Sequence, residues 1–252
     1  MHQAEANAAS TGSVDRDEVA RFERLAERWW DAQGEFRPLH RLNPLRLTFI
    51  RDRLAQHFRR DPDSPRPFAG LRLLDIGCGG GLISEPMARL GFAVTGIDAG
   101  HETVAAARTH AQAFGVAVDY RETTAEDLAA AGERFDAVLA LEVVEHVADP
   151  MLFLGSAAEL VRPGGALIAA TLNRTPKAFL LAIVGAEYVL GWLPRGTHQW
   201  QKFLRPSELA SGLRQHGLGV SEISGLSYDP LRDRWSLSRD LDVNYMVYAV
   251  KS

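Results

Sequence analysis

The sequence predicts an α/β protein built on a mostly parallel sheet with helices on both faces, and three observations predict it. From residue 71 onward, short apolar runs alternate with helix-length segments. A glycine-rich loop, Gly77-Cys78-Gly79-Gly80-Gly81, closes the first of those runs. An aspartate, Asp98, ends the second run, roughly 20 residues after the loop begins.

Taken in order, the first fourteen residues carry no Lys or Arg and no apolar run, so they match no targeting segment and are expected to be a disordered tail. Residues 15–60 are expected to be a helical extension. Val19, Phe22, Leu25, Ala26, Trp29 and Trp30 recur at spacings of three and four, which predicts an amphipathic helix over Asp15–Gln33. A second helix is expected over Pro44–His57, with Asn43 as N-cap and Pro44 at the first helical position. The turn-rich stretch 61–70 reads as a linker.

The main domain is expected over 61–252. LRLLDIG, FAVTGID, VAVDYRE, FDAVLALE and GALIAATL predict five strands, each separated from the next by a helical segment. LGVSEISGL and VNYMVYAVKS predict two more strands with no helix between them, an antiparallel pair closing the sheet. The strongly apolar stretch 178–193, inside an insert over 174–200, is broken by Gly185 and Glu187 and flanked by Arg174, Lys177 and Arg195. It is too short and interrupted for a confident span. With Tyr188 and Trp192 it suits a helix lying in a lipid headgroup region, and equally a helix buried on the sheet or in a dimer interface.

At 252 residues and 46% apolar content the chain supports one sizeable core. A net charge of −4 gives no basic field, so nucleic acid is not expected as a partner. Cys78 is the single cysteine, which rules out an intrachain disulfide and a cysteine metal cluster and suits the cytoplasm.

The glycine pattern separates two ligand classes. A dinucleotide fingerprint needs a third glycine where Leu82 stands, which weakens a nicotinamide oxidoreductase. Asp75, Gly77, Gly79 and Gly81 form instead an Asp-x-Gly-x-Gly-x-Gly loop, which resembles motif I of the class I S-adenosylmethionine-dependent methyltransferases. Asp98 is placed to bind a ribose diol, or alternatively to cap the next helix. FDAVLALEVVEH resembles motif IV of that class, and LVRPGGALIAAT its fifth strand.

Outside this core, FERLAERWWDAQGEFRPLHRLNPLR, TLNRTPKAFLLAIVGAEYVLGWLPRGTH and DVNYM resemble the ubiquinone-biosynthesis O-methyltransferases, so that the likeness reaches from about residue 20 to the end. It implies a Rossmann-like fold with a seven-stranded sheet whose last strand is reversed, and S-adenosylmethionine held by Arg46, Gly77, Gly79, Asp98 and Leu141. It implies methylation of phenolic hydroxyls on a polyprenyl phenol or quinol. It also implies peripheral contact with membrane lipid on the inner face of the cell membrane, and a place in a ubiquinone-biosynthesis complex.

Just past the fourth strand stand Glu142, Glu145 and His146. If that stretch is helical, the three share a face. They then converge on a divalent cation such as Mg²⁺ that lowers a phenol's pKa, a reading that family precedent supports. The competing readings are His146 as general base oriented by Glu145 or Glu142, and hydrogen bonding at a helix start. Three rival functions remain: a methyltransferase for another small acceptor, a nicotinamide oxidoreductase, and a lipid-binding scaffold without turnover.

Overall fold

The computed structural model describes residues 12–180, 200–229, 232 and 234–252. Five parallel strands form one half of the sheet: β1 (Arg72–Ile76), β2 (Ala93–Asp98), β3 (Asp119–Glu122), β4 (Phe135–Leu141) and β5 (Val161–Leu172). β6 (Leu218–Asp229), β7 (Arg234–Ser238) and β8 (Asn244–Lys251) complete it in antiparallel fashion, in the order β3-β2-β1-β4-β5-β8-β6-β7.

Eight strands thus stand where seven were expected. β6 outruns β8, which ends its pairing at Leu226, and the remaining stretch of β6 needs a partner on its other side. β7 supplies that partner across Gly225–Asp229. Its five residues leave Leu237 exposed, so it carries no apolar run to announce it.

Adjacent residues of a strand face opposite ways, and the core is divided accordingly. Leu74, Ile76 and Val138 face a layer containing α5 (Ala125–Ala130), α6 (Pro150–Leu160) and α8 (Pro206–Gln215). Leu73, Leu139 and Ile168 face α2 (Arg37–Phe58) and α3 (Ser84–Arg89). α4 (His101–Ala113) covers the outer strands, with Val104 and Ala107 packed beside Cys78 and Tyr120. A three-residue helix, α7 (Pro176–Ala178), follows β5. The strand order reverses between β1 and β4, and the crevice outside their carboxyl ends is where sheets of this kind bind ligands.

The N-terminal extension departs from expectation in three places. The single helix over Asp15–Gln33 is instead α1 (Arg16–Glu23) and a 3₁₀ turn at Ala26–Arg28, interrupted at Leu25, whose ψ of 4° is not helical. The break lets Trp29 turn back to stack on Phe36, ring centroids 3.8 Å apart. α2 begins at Arg37 rather than Pro44, because Pro38 provides the favourable proline of the first turn. Pro44 sits inside the helix on its exposed side, where the missing N–H costs a hydrogen bond but buries no unpaired group. Finally, Ser13 and Val14, expected in the tail, are tied down: the Ala148 amide donates to Ser13 O at 2.7 Å, and the Ser13 amide to Glu126 Oε1 at 3.3 Å.

Of the apolar stretch 178–193, all but Ala178, Phe179 and Leu180 lies outside the described residues. Among the described residues no helix is long and apolar enough to cross a membrane.

Candidate active site

The carboxyl ends of β1, β2 and β4 open into a cavity of about 1230 Å³, closed over by α1 and the aromatic residues that follow it. Pockets for one drug-sized ligand measure roughly 300–1,000 Å³, so this space is large enough for a cofactor with an acceptor beside it.

The glycine loop forms the floor. The Cys78 amide donates to Ile97 O at 2.9 Å, which pins the turn to β2. Gly77 has φ +66°, and a Cβ there would meet Val143 Cγ2 at 2.4 Å. Gly79 has φ +53°, and a Cβ there would strike the Trp29 ring at 2.5 Å. Both positions therefore require glycine for backbone and for space. Trp30 Nε1 donates to Gly80 O at 2.9 Å, so the extension is bonded directly to the loop.

Asp98 accepts from the Gly79 amide at 3.2 Å through one oxygen and from the Gly100 amide at 2.9 Å through the other. Burial pushes its carboxyl above the ordinary range, against these two bonds. It thus both anchors the loop and faces the cavity. Asp75, the first residue of the motif, accepts from Ser84 Oγ at 2.6 Å and is pushed up to about 7 by burial.

Of the residues expected to hold a cofactor, Arg46, Gly77, Asp98 and Leu141 line the cavity, whereas Gly79 lies under Trp29. Arg46 is buried and ion-paired with Glu142, with Asn43 Oδ1 3.4 Å from its Nη1. Among the described residues its Nε is buried with no hydrogen-bond partner.

The sequence expectation fails most clearly at Glu142, Glu145 and His146. They do not share a helix face. Glu142 adopts a left-handed conformation at φ +55°, and only Val144–His146 form a short 3₁₀ turn. Each has a partner outside the trio: Glu142 pairs with Arg46, Glu145 Oε2 accepts from Thr171 Oγ1 at 2.8 Å, and His146 Nδ1 lies 3.0 Å from Glu18 Oε2, while the Glu142 and Glu145 carboxyl groups also neighbour each other. Among the described residues no group of three His, Cys, Asp or Glu gathers as a metal site. Glu142 and His146 line the cavity, but Glu145 is turned into the sheet and does not. Glu145 is held by Thr171 and neighbours Glu142, away from the cavity lining.

Burial, and then the adjacent Glu142 charge, drive the Glu145 carboxyl well above its ordinary range, so it is held protonated. The folded state keeps a proton that the unfolded chain releases above about pH 4.5, so stability is lost as pH rises past that value. Glu145→Gln, which mimics the protonated acid, is expected to raise Tm, by more at pH 8 than at pH 5. A Tm difference independent of pH, read by differential scanning calorimetry, would show that the carboxyl is ionised in the fold.

Three contributors carry no functional signal in the sequence analysis. Trp29 and Trp30, whose spacing fits the apolar stripe of a helix, cover the glycine loop. Glu18 interrupts the apolar stripe that continues through Phe22 and Leu25, and a carboxylate on a buried helix face is the signal that could have found it.

The methyltransferase domain family matches residues 74–169, the span from β1 to β5. Over 247 residues the chain is 57% identical to the ubiquinone biosynthesis O-methyltransferase of Parvibaculum lavamentivorans, covering 98% of each. The protein of the same name from Paramagnetospirillum magneticum is 58% identical over 240 residues, 95% of this chain and 96% of that one. Among solved structures, magnesium protoporphyrin IX methyltransferase from Synechocystis with bound SAH has the same fold, with a TM-score of 0.63 at 19% identity over 94% of this chain and 100% of that one. The chain belongs to the ubiquinone biosynthesis O-methyltransferases and is an S-adenosylmethionine-dependent enzyme of that family.

Proposed function

We propose that the enzyme transfers the methyl group of S-adenosylmethionine to phenolic hydroxyls of a polyprenyl hydroxyphenol and of demethylubiquinol, with His146 as general base. The observation that carries this reading is that His146 lines the same cavity as Gly77, Asp98, Leu141 and Arg46. In it, Asp98 holds the ribose diol, and the backbone of Gly77 and Leu141 lies along the cofactor. Arg46, whose side chain lines the cavity, meets the methionine carboxylate through its guanidinium.

The chemistry is a direct displacement. A neutral phenol, with a pKa of about 10, is a poor nucleophile at neutral pH. His146 takes the phenol proton as the oxygen forms its bond to the methyl carbon. The carbon–sulfur bond breaks with its electron pair passing to sulfur, and S-adenosylhomocysteine leaves. Among the described residues Glu142, Glu145 and His146 do not gather as the set expected for Mg²⁺, since Glu142 is ion-paired with Arg46 and His146 lies against Glu18, and no step is routed through the metal. Turnover lost on chelation and restored by Mg²⁺ would show that these side chains exchange partners in the working enzyme.

An acceptor with an isoprenoid tail is drawn from lipid, and the enzyme is proposed to work peripherally at the inner face of the cell membrane, beside other enzymes of ubiquinone biosynthesis. Phe179 and Leu180 support contact with lipid, since both are exposed next to Arg174 and Lys177 where the apolar stretch begins. The test of the acceptor class is kcat/KM for a short-tailed demethylubiquinol against a tailless catechol. One fully buried isoprene unit, five carbons, favours the tailed acceptor by up to about 1,000-fold, from ~0.8 kcal/mol per buried CH₂. Equal values, or a better tailless acceptor, would assign the enzyme to another small phenol.

A further inference from the structure

The cavity continues well past the end of the sheet assigned to the cofactor. Gly77, Asp98 and Leu141 stand at the carboxyl ends of β1, β2 and β4, and from there the lining runs beyond β5 and β8 to the antiparallel strands at the other edge. From β5 to β7 is three strand spacings, about 14 Å. Along this arm the sheet presents Leu172, Leu226, Tyr228 and Trp235. Cross-strand pairing puts them on one face, Leu172 and Leu226 each opposite Asn244 and Tyr228 opposite Trp235. α2 faces them with Leu42, which packs in the same apolar cluster as Leu226 and Trp235. Lys177 and Asp240 also line this end, and their charges are matched to each other at 2.6 Å.

We infer that this arm is the subsite for the acceptor's isoprenoid tail, and that Tyr228 and Trp235 of the β6–β7 hairpin set the preference for a tail. This rests on the reading of the acceptor as a polyprenyl phenol or quinol. An isoprenoid chain has no hydrogen-bonding group, so it is recognised only through apolar area removed from water. The two aromatic residues suit that task. Their ring centroids lie 5.3 Å apart at 42°, and both residues are half-buried, which leaves ring surface for a ligand to cover. β7 is otherwise a polar edge strand, with Arg234 and Ser236 exposed on either side of Trp235. Pro38, Tyr228 and Trp235 also line a small neighbouring groove beside Arg37 and Arg41, so these three form the partition at the far end of the arm. The ring to be methylated then sits between the cofactor and β5, and the tail points away from the sulfonium.

The test measures kcat/KM for a tailless demethylubiquinol and for the same quinol with a two-isoprene tail, in wild type, Trp235→Ala and Tyr228→Ala, with Tm recorded for each. Trp235→Ala is expected to lower kcat/KM for the tailed acceptor by about 10-fold more than for the tailless one, the change that follows from losing about 55 Å² of apolar contact. Tyr228→Ala shifts the ratio in the same direction, and Trp235→Phe restores part of it. A ratio that stays at the wild-type value in both alanine variants, whether or not both rates fall, would make the pair a structural tie of the hairpin and overturn the inference. A second measurement needs no variant: the tailed quinol carrying a diazirine at the tail's end is photolysed on the wild-type enzyme with S-adenosylhomocysteine bound, and the labelled peptide is read by mass spectrometry. Label is expected on β6, β7 or the first turns of α2. Label confined to the apolar stretch 178–193 would overturn the tail's placement while leaving the acceptor class intact. A wild-type enzyme that does not distinguish the two quinols would remove the acceptor reading, and the subsite with it.

Discussion

His146→Ala is expected to lower kcat for demethylubiquinol by about 10²- to 10⁴-fold, the range supplied by a general base, with the Kd for S-adenosylmethionine within about threefold of wild type. His146 stands on a short 3₁₀ turn at the end of β4, reaches the cavity, and has Nδ1 engaged by Glu18. None of these contacts supports the glycine loop, so removing the ring leaves the cofactor's floor intact. Steady-state kinetics with calorimetry on the same preparation separates the two effects. An unchanged kcat would mean that the phenol is deprotonated by some other group.

Asp98→Ala is expected to act in the opposite way, raising the Kd for S-adenosylmethionine by about 100-fold or more. Each charge-assisted hydrogen bond to the ribose is worth roughly 1.5–3 kcal/mol, and the Gly79 and Gly100 amides lose their acceptor as well. Asp98→Asn retains an acceptor and should lose about 10-fold. Isothermal titration calorimetry reads both, and a Kd unchanged in the alanine variant would reduce Asp98 to a cap at the start of α4.

These two residues show what the sequence discloses and what it hides. Asp98 was legible because its place is fixed by local chain geometry: a strand, a glycine turn and the next strand leave it one position to occupy. The same reasoning found the parallel order of β1 to β5, since each apolar run is bounded by a helix. The role of Glu142, Glu145 and His146 was not legible. It turned on whether that segment was helical, and one left-handed residue at Glu142 takes the chain off the helical path, so the three do not share a helix face. No local signal announces φ +55° at a glutamate; the conformation is held by Arg46 from α2 and by the bond from the Glu142 amide to Ala170 O.

The extension was misread for a related reason. Asn43-Pro44 has the chemistry of a helix start, as does Arg37-Pro38, and only packing chooses between them: Leu42, Arg46, Phe49 and Ile50 are buried on one continuous helix face. Glu18 meets His146 across most of the domain, a contact that periodicity within α1 cannot disclose beyond marking the carboxylate as out of place on an apolar stripe.

In the proposed reaction this cavity brings a sulfonium methyl to a phenolate beside His146. The most direct measurement is transfer from methyl-labelled S-adenosylmethionine to a short-tailed demethylubiquinol, with the product's methylated position read by mass spectrometry. One label per turnover is expected, on a phenolic oxygen, at a rate that collapses in His146→Ala. Tight binding of S-adenosylmethionine with no label reaching the quinol would contradict it.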